Sequence, residues 1–219
     1  MAEIPEPVAV IGGTGDLGQG FCKYLLHNGI ETIIGSRKEE KAQRIMGELT
    51  DDQTAPLAQG KQNEDAAEAA EFIILAIPFW GHDKILPGLK QHVQGKILMD
   101  TTSPLDEDDP TSYDEPEEGS AGLHVRKLLG DDLTLVAGFH TISAHSLEDP
   151  EDVPTSDVFY CGDDQGKPVV EALIERFGMS GHDAGDLERT ATLERLTPMV
   201  IHFNMHYKKR SLGLRLEGF

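Results

Sequence analysis

Three neighbouring side chains, Ser36, Arg37 and Lys41, are the residues of this sequence best suited to bind a charged group. They follow a short segment, 31–34, that we predict as a β-strand, and Lys41 lies about one helical turn beyond Arg37. A hydroxyl, a planar guanidinium and an ammonium close together suit a phosphate, which an aspartate in the same place would repel. Cations near a helix N-terminus are unfavourable to its dipole, which favours a bound anion as the reason for their position. The alternative is that both cations are solvated charges on an exposed first helical turn.

A glycine-rich turn lies upstream of these cations, in the segment 8–18 (VAVIGGTGDLG). Its apolar start predicts a buried strand, and Gly13, Gly15 and Gly18 then match G-x-G-x-x-G where the chain turns from strand into helix. We expect Gly13 to permit the turn, Gly15 to let backbone N–H groups approach a pyrophosphate, and Gly18 to let the helix pack closely. The anion would lie at the positive end of the helix dipole. The segment therefore predicts a dinucleotide site; the alternative is a purely structural turn.

The residue that follows the second strand distinguishes the two pyridine dinucleotides. An NAD-binding unit usually places an acid about 20 residues beyond the glycine turn, where it binds the ribose 2′-hydroxyl. Here Gly35 occupies that place, and Ser36 and Arg37 follow it. We therefore predict NADP(H) rather than NAD(H), with the cations on the 2′-phosphate.

Length and composition limit the class of protein. At 219 residues the chain is long enough to bury a full core, and we predict one domain over residues 1–219. Hydrophobic residues make up 38%, and no segment approaches the roughly 20 apolar residues of a membrane-spanning helix. The first ten residues carry acids rather than the basic start of a secretion signal, so we expect a cytoplasmic location. Cys22 and Cys161 lie far apart without metal-ligand spacing, and we predict no metal site.

The formal net charge of −20 argues against nucleic acid or an anionic membrane as a partner. Small-molecule coenzymes are the partners we expect. Because dinucleotides are also anions, local cations must reverse a repulsive field, which makes Arg37 and Lys41 more informative here than on a basic protein. The excess of acid fits an acidic proteome adapted to high salt, where screening weakens the self-repulsion; this is a hypothesis.

The alternation of apolar and helical segments predicts a Rossmann-type α/β fold, a doubly wound, mostly parallel sheet with a small C-terminal helical extension. The run 72–77 (FIILAI) is typical of a central parallel strand buried on both faces. Weaker patterns predict a short strand near 56–58 and a helix over 63–70 with Asn63 as its N-cap.

Two further segments follow the α/β part of the pattern. Residues 106–119 are acidic, contain proline and have few aliphatic residues, so we predict a solvated loop, with a lid over the site as the alternative. A long C-terminal helix is predicted at about 187–210, with a kink or a break at Thr197 and Pro198. We expect a homodimer in which this helix contributes to the interface.

Ligands of an open α/β sheet bind beyond the carboxyl ends of its strands. The stretches that follow predicted strands are 13–17, 36–37, 77–80, 100–103 and 139–142. Pro78, Phe79 and Trp80 would form a wall beside the nicotinamide ribose; alternatively Trp80 covers the sheet edge. His140 directly follows an apolar strand, where it would orient a substrate, supply a proton or satisfy buried carbonyls.

The assembly of motifs resembles the F420H2:NADP oxidoreductases, which reduce or oxidise the deazaflavin coenzyme F420. The resemblance extends over nearly the full length and depends on IGGTGDLGQG, IGSRKEEKA, KQNEDAAEAA before FIILAIP, GFHTI, CGDD, DAG and LERLTPMVI. The stretch after Asp100 is more acidic than the family pattern, and the tail KKRSLGLRLEGF matches only around residues 212–214. IGSR-x-x-x-KA and HTI lie outside the general dinucleotide fingerprint, which makes the resemblance fairly specific.

The resemblance implies direct hydride transfer between NADP(H) and coenzyme F420, with two stacked rings that need mainly positioning and exclusion of water. It also implies a set of contacts. These are Thr14, Gly15, Asp16 and Leu17 for the pyrophosphate; Ser36, Arg37 and Lys41 for the 2′-phosphate; Ile77 and Leu212 for the rest of the nucleotide; and His140, Thr141 and Ile142 for the deazaflavin. His140 would contact the ring or relay a proton. The basic tail residues Lys208, Lys209, Arg210 and Arg215 would bind the anionic tail of F420 or cap the last helix.

Other functions stay open at this point. An NADP-dependent reductase of a flavin, of ferric iron or of a small carbon substrate would use the same nucleotide site. Reductases of prephenate or pyrroline type usually add a helical dimerisation domain, for which little chain follows residue 187. A non-catalytic NADPH sensor would bind the nucleotide and show no turnover.

Overall fold

The structure, a computed structural model, describes residues 2–218 and is organised around one eight-stranded sheet. The strands are β1 (Val8–Ile11), β2 (Thr32–Ser36), β3 (Ala58–Gln62), β4 (Phe72–Leu75), β5 (Ile97–Asp100), β6 (Thr134–Gly138), β7 (Val158–Gly162) and β8 (Gly181–Asp183). The helices are α1 (Asp16–His27), α2 (Glu39–Leu49), α3 (Asn63–Ala69), α4 (His82–Leu89), α5 (Ala121–Leu129), α6 (Lys167–Arg176), α7 (Thr190–Glu194) and α8 (Leu196–His206).

The strand order is β3-β2-β1-β4-β5-β6-β7-β8. Neighbours from β3 to β6 are parallel, β7 is antiparallel to β6, and β8 is parallel to β7. The order reverses between β1 and β4, which is where an open α/β sheet forms its ligand crevice. The predicted Rossmann-type, mostly parallel fold is confirmed.

The core has two layers, one on each face of the sheet. Side chains of β1 alternate between them, since successive residues of a strand point to opposite faces. Val8 and Val10 pack with residues of α1, α2 and α6. Ala9 and Ile11 pack with residues of α3, α4 and α5. All four are fully buried, which explains why this strand is a continuous apolar run rather than an alternating one.

The turn between β1 and α1 depends on Gly12 as well as on Gly13, the glycine predicted to permit it. Gly12 has a φ of 82°, a conformation that favours glycine, and a Cβ there would collide with the carbonyl oxygen of Ala76. Gly13 is required in the same turn, because its N–H donates to the carbonyl oxygen of Val10 and a Cβ on it would lie 2.9 Å from that oxygen. A Cβ at Gly18 would collide with the carbonyl oxygen of Gly12, so the expected close approach of α1 to the turn is present.

The segment before α3 also differs from its prediction. Residues Ala55–Leu57 form a 3-10 helix, and β3 begins only at Ala58. Asn63 is the first residue of α3 rather than its N-cap, which is Gln62, and no side chain caps this helix. The Asn63 side chain is turned inward and is 3% exposed.

The predicted long C-terminal helix is divided into three pieces. A 3-10 helix at Leu187–Arg189 leads into α7, and α7 and α8 are separated at Arg195, two residues before the predicted kink. Pro198 is the third residue of α8, where its missing N–H falls among groups that have no intrahelical acceptor. Within residues 2–218, no helix is long and apolar enough to cross a membrane.

Residues 106–119 contain neither helix nor strand, in agreement with the predicted loop. The carboxylates of Asp106 and Asp109 accept hydrogen bonds from backbone N–H groups that follow them in the chain. The hydroxyl of Tyr113 donates to the buried carboxylate of Glu194 over 2.8 Å, which anchors the loop against α7.

Candidate dinucleotide and acceptor site

Two adjoining cavities lie at the carboxyl edge of the parallel strands. The nucleotide cavity, of about 590 Å³, is bordered by the glycine turn, the end of β2 and the segment after β4. The acceptor cavity, of about 700 Å³, is bordered by the start of α1 and the segments after β4, β5 and β6. Both are lined by Gly15, Ala76, Ile77, Pro78 and Trp80. Two ligands that occupied the cavities would therefore meet at this shared wall.

The turn before α1 leaves backbone N–H groups free for an anion. Gly15 is the N-cap of α1, and no side chain forms a capping hydrogen bond there. A Cβ at Gly15 would meet only the carbonyl oxygen of Gly12, at 3.4 Å, so the space beyond Gly15 is open. An open helix N-terminus with its dipole directed at the cavity fits a pyrophosphate.

The end of β2 brings the three phosphate-binding candidates together. Ser36, Arg37 and Lys41 all line the nucleotide cavity, with Lys38 beside them. The Ser36 hydroxyl lies 3.4 Å from the hydroxyl of Thr14, which connects the cation cluster with the glycine turn. Among residues 2–218, neither Arg37 nor Lys41 has an ion-pair partner, although the chain carries 39 acidic residues. Two unpaired cations on so acidic a protein fit the 2′-phosphate of NADP(H).

His140 is the most distinctive residue of the acceptor cavity. Its side chain is 6% exposed, and neither ring nitrogen has a hydrogen-bond partner within the described chain. Burial lowers the pKa of His140 to about 4, because desolvation disfavours the imidazolium. Phe139 precedes it with a φ of 67°, rare for a bulky residue and typical of strain held at a functional position. The imidazole is therefore neutral near pH 7 and offers one donor and one acceptor to a ligand.

The wall behind His140 is tied to the C-terminal helix. The Thr197 hydroxyl donates to the carbonyl oxygen of His140 over 2.9 Å and lies 2.7 Å from the hydroxyl of Ser103. Thr197 thus joins α8 to the segments after β5 and β6. Sequence analysis assigned Thr197 only to a kink or break of the helix, since a contact between residues 57 positions apart leaves no local signal.

Two more buried ionisable groups lie behind the cavity wall. Burial raises the pKa of Asp100 to about 7 and lowers that of His82 to about 3. The His82 Nε2 lies 3.1 Å from the hydroxyl of Thr102, which lines the acceptor cavity. The sequence analysis placed Asp100 in the stretch 100–103 after a predicted strand; in the structure Asp100 and His82 are both fully buried and line neither cavity.

The predicted site residues divide into three groups. Those lining the nucleotide cavity are Thr14, Gly15, Ser36, Arg37, Lys41, Ile77 and Pro78. Those lining the acceptor cavity include Asp16, Leu17, His140 and Ile142. Among the described residues, four line neither cavity: Gly13, Gly18, Thr141 and Leu212. The backbone N–H and carbonyl of Leu212 are hydrogen-bonded to the side-chain amide of Asn204. A contact between Leu212 and the nucleotide stays a prediction.

Together, the strand order, the glycine turn and the open cation cluster define a dinucleotide-binding α/β protein with room for a second ligand. Comparison with known proteins is more specific. Residues 7–104 match the family model described as NADP oxidoreductase, coenzyme F420-dependent. The chain is 33% identical to an F420-dependent NADP reductase of Methanocaldococcus jannaschii over 96% of its own length and 98% of that protein.

A second relative has the same description. An F420-dependent NADP reductase of Methanothermobacter marburgensis is 33% identical, over 96% of this chain and 98% of its own. A crystal structure from Arthrobacter sp. FB24, provisionally described as an F420-dependent NADP-reductase, superimposes with a TM-score of 0.83. It covers 96% of this chain and 99% of its own at 21% identity, which supports the fold. The chain belongs to the F420-dependent NADP oxidoreductase family, as its motifs predicted.

Proposed function

We propose that this protein catalyses direct hydride transfer between NADP(H) and coenzyme F420. The observation that carries the proposal is the lining shared by the two cavities, Ile77, Pro78 and Trp80, along which a cationic, glycine-lined cavity adjoins one that holds a buried neutral histidine. The nicotinamide supplies the hydride donor or acceptor carbon, and the deazaflavin supplies the other. The protein's task is to hold two flat rings together and to exclude water.

On the nucleotide side, Arg37 and Lys41 neutralise the 2′-phosphate while Ser36 contributes a hydroxyl. The open N-terminus of α1, from Thr14 to Leu17, receives the pyrophosphate. Gly13 and Gly18 act indirectly, because they keep α1 close enough to the turn for its N–H groups to reach the cavity.

On the acceptor side, His140 donates or accepts a hydrogen bond at the edge of the deazaflavin, and Ile142 packs beside it. A pKa of about 4 makes the imidazole a poor proton donor near pH 7, so its role is to orient the ring rather than to relay a proton. Thr141 supports this loop from a buried position, and Pro78 and Ile77 border the nicotinamide.

We also propose a homodimer in the cytoplasm, built from a single domain over residues 1–219. The outer face of α8 supports an interface, because Met199, Phe203 and Met205 are large apolar side chains that remain exposed. Tyr207 and Leu216 extend this surface beyond the helix. Light scattering of the purified protein tests the dimer.

The decisive experiment is a spectrophotometric assay of NADPH oxidation with oxidised F420, FMN, FAD and ferric citrate, each supplied separately. We expect turnover with F420 at least about tenfold above every other acceptor, since the acceptor cavity would position its ring against the nicotinamide. A preference for a flavin or for iron would establish the alternative reductases. Tight NADPH binding without turnover of any acceptor would leave the non-catalytic sensor as the function.

A further inference from the structure

The nucleotide cavity contains a polar group whose hydrogen-bonding capacity no described residue satisfies. Asn63 lines this cavity, its side chain is 3% exposed, and its Oδ1 has no hydrogen-bond partner within residues 2–218. A buried amide oxygen without a partner costs free energy, so it indicates a ligand that completes it. The side chain does not cap α3, which removes the usual explanation for an asparagine at that position.

The position of Asn63, directly after β3, indicates which part of a ligand its side chain would bind. Strand β3 pairs with β2 so that Gln62, the residue before Asn63, lies opposite Ser36. A Cβ built on Gly35 would lie 3.0 Å from Asn63 Oδ1. Gly35 stands where an NAD-binding protein places the acid that binds the adenosine ribose. The amide of Asn63 therefore lies, from the start of α3, against the space that this acid would occupy.

An amide suits an NADP site better than a carboxylate in that space. It is neutral, so it does not repel a 2′-phosphate, and it still offers an acceptor and two donors to ribose hydroxyl and phosphate oxygens. Arg37 shares both the nucleotide cavity and a smaller adjoining cavity of about 330 Å³ with Asn63. The two side chains thus face the same end of a bound dinucleotide.

We propose that Asn63 is a specificity-determining residue of the nucleotide site, which hydrogen-bonds the adenosine ribose of NADP(H) in place of the acid found in NAD-binding sites. The proposal depends on the proposed use of NADP(H) and adds a residue to it. A side chain at position 35 would press on this amide as well as on the carbonyl oxygen of Val10, which lies nearer, at 2.9 Å from the Cβ position.

The test compares Asn63→Asp with Asn63→Ala by titration of NADPH and NADH, followed through the fluorescence of Trp80 at the cavity wall. Asn63→Asp keeps the shape and adds a negative charge, so we expect the ratio of NADPH to NADH affinity to fall by about tenfold, because like charges are brought together. Asn63→Ala should weaken both nucleotides by similar factors, since the ribose is common to them.

Gln59→Glu is the matched control, because it adds the same charge on an exposed side chain of β3 that lines neither the nucleotide cavity nor the adjoining one. We expect its affinity ratio to change by less than about twofold. Thermal melting without ligand separates folding from binding, and Asn63→Ser replaces Asn63→Asp if the latter fails to fold; it should weaken both nucleotides without changing the melting temperature.

Equal weakening of both nucleotides by Asn63→Asp, or the same shift in Gln59→Glu, would overturn the proposal. So would unchanged affinities in Asn63→Ala and Asn63→Ser. Failure of the wild-type protein to bind NADPH would contradict the proposed cofactor instead, so the two failures are distinguishable.

Discussion

The two cavities offer different kinds of interaction to a ligand, although they share a wall. The nucleotide cavity presents exposed cations and open backbone N–H groups, so long-range charge and a helix dipole dominate there. The acceptor cavity presents the buried, neutral His140 on a strained turn, with Asp106 and Glu107 at its rim. The difference indicates that one ligand is held by charge and the other by shape and a few directed hydrogen bonds.

The largest effect is expected from reversing charge in the nucleotide cavity. Arg37→Asp replaces an unpaired guanidinium with a carboxylate, so we expect the Kd of NADPH to rise about 100-fold while that of NADH changes less than about threefold. Arg44→Asp, on the helix α2 that follows Arg37 and paired with Glu48 outside both cavities, is the control and should leave both values within about twofold. An unchanged preference in Arg37→Asp would refute the assignment of the 2′-phosphate.

A smaller effect is expected in the acceptor cavity. His140→Ala removes the hydrogen-bonding group beside the ring, and we expect kcat with F420 to fall by more than about tenfold with the Kd of NADPH unchanged. His140→Gln keeps a donor and an acceptor and should recover part of the rate. His145→Ala, which loses a pairing with Glu148 outside both cavities, should have no effect.

The pH profile of the same variants sharpens this comparison. Because burial lowers the pKa of His140 to about 4, the imidazole is uncharged from pH 6 to 9 and loses its neutral form only as the pH falls toward 4. We expect wild type and His140→Gln to have kcat profiles of the same shape between pH 6 and 9. A step near pH 6.5 that His140→Gln abolishes would show that the imidazolium takes part.

The smallest effect is expected at the rim. Glu107 is exposed and lines the acceptor cavity, so Glu107→Gln removes one negative charge that faces an anionic coenzyme. We expect the KM for F420 to fall by about two- to threefold in low salt, and the difference to disappear in 1 M salt, where the Debye length is about 3 Å. Asp114→Asn, exposed on the same loop and outside the cavity, should not change KM.

Much of the nucleotide cavity was predictable because its signals are local. The glycine pattern, the cations after β2 and the apolar run of β4 each lie within a dozen consecutive residues. The role of Gly12 was not predicted, because the fingerprint begins at the next glycine, while the positive φ belongs to the residue before it. Glycine is required at position 12 because the backbone of Ala76 packs against it, and no sequence pattern near residue 12 indicates that contact.

The acceptor side was less predictable because its geometry depends on distant contacts. His140 was identified from its place after a strand, yet its lowered pKa follows from burial that several elements produce together. Asn63 was expected to be a helix cap, a role that local propensity favours, and the pairing of β3 with β2 turned it toward the cavity. The end of α7 at Arg195 likewise follows from tertiary contacts, since Glu194 is held by the N–H groups of Ala121 and Gly122.

The hydrogen bonds of Thr197 to Ser103 and to the carbonyl oxygen of His140 connect α8 directly to the acceptor cavity. A partner bound to the outer surface of α8, which includes the apolar side chains around Phe203, would act on the position of the His140 peptide through the Thr197 hydroxyl. A chain shortened at residue 195 would keep every residue that lines the nucleotide cavity. It would lose the Thr197 hydrogen bonds that support the acceptor cavity.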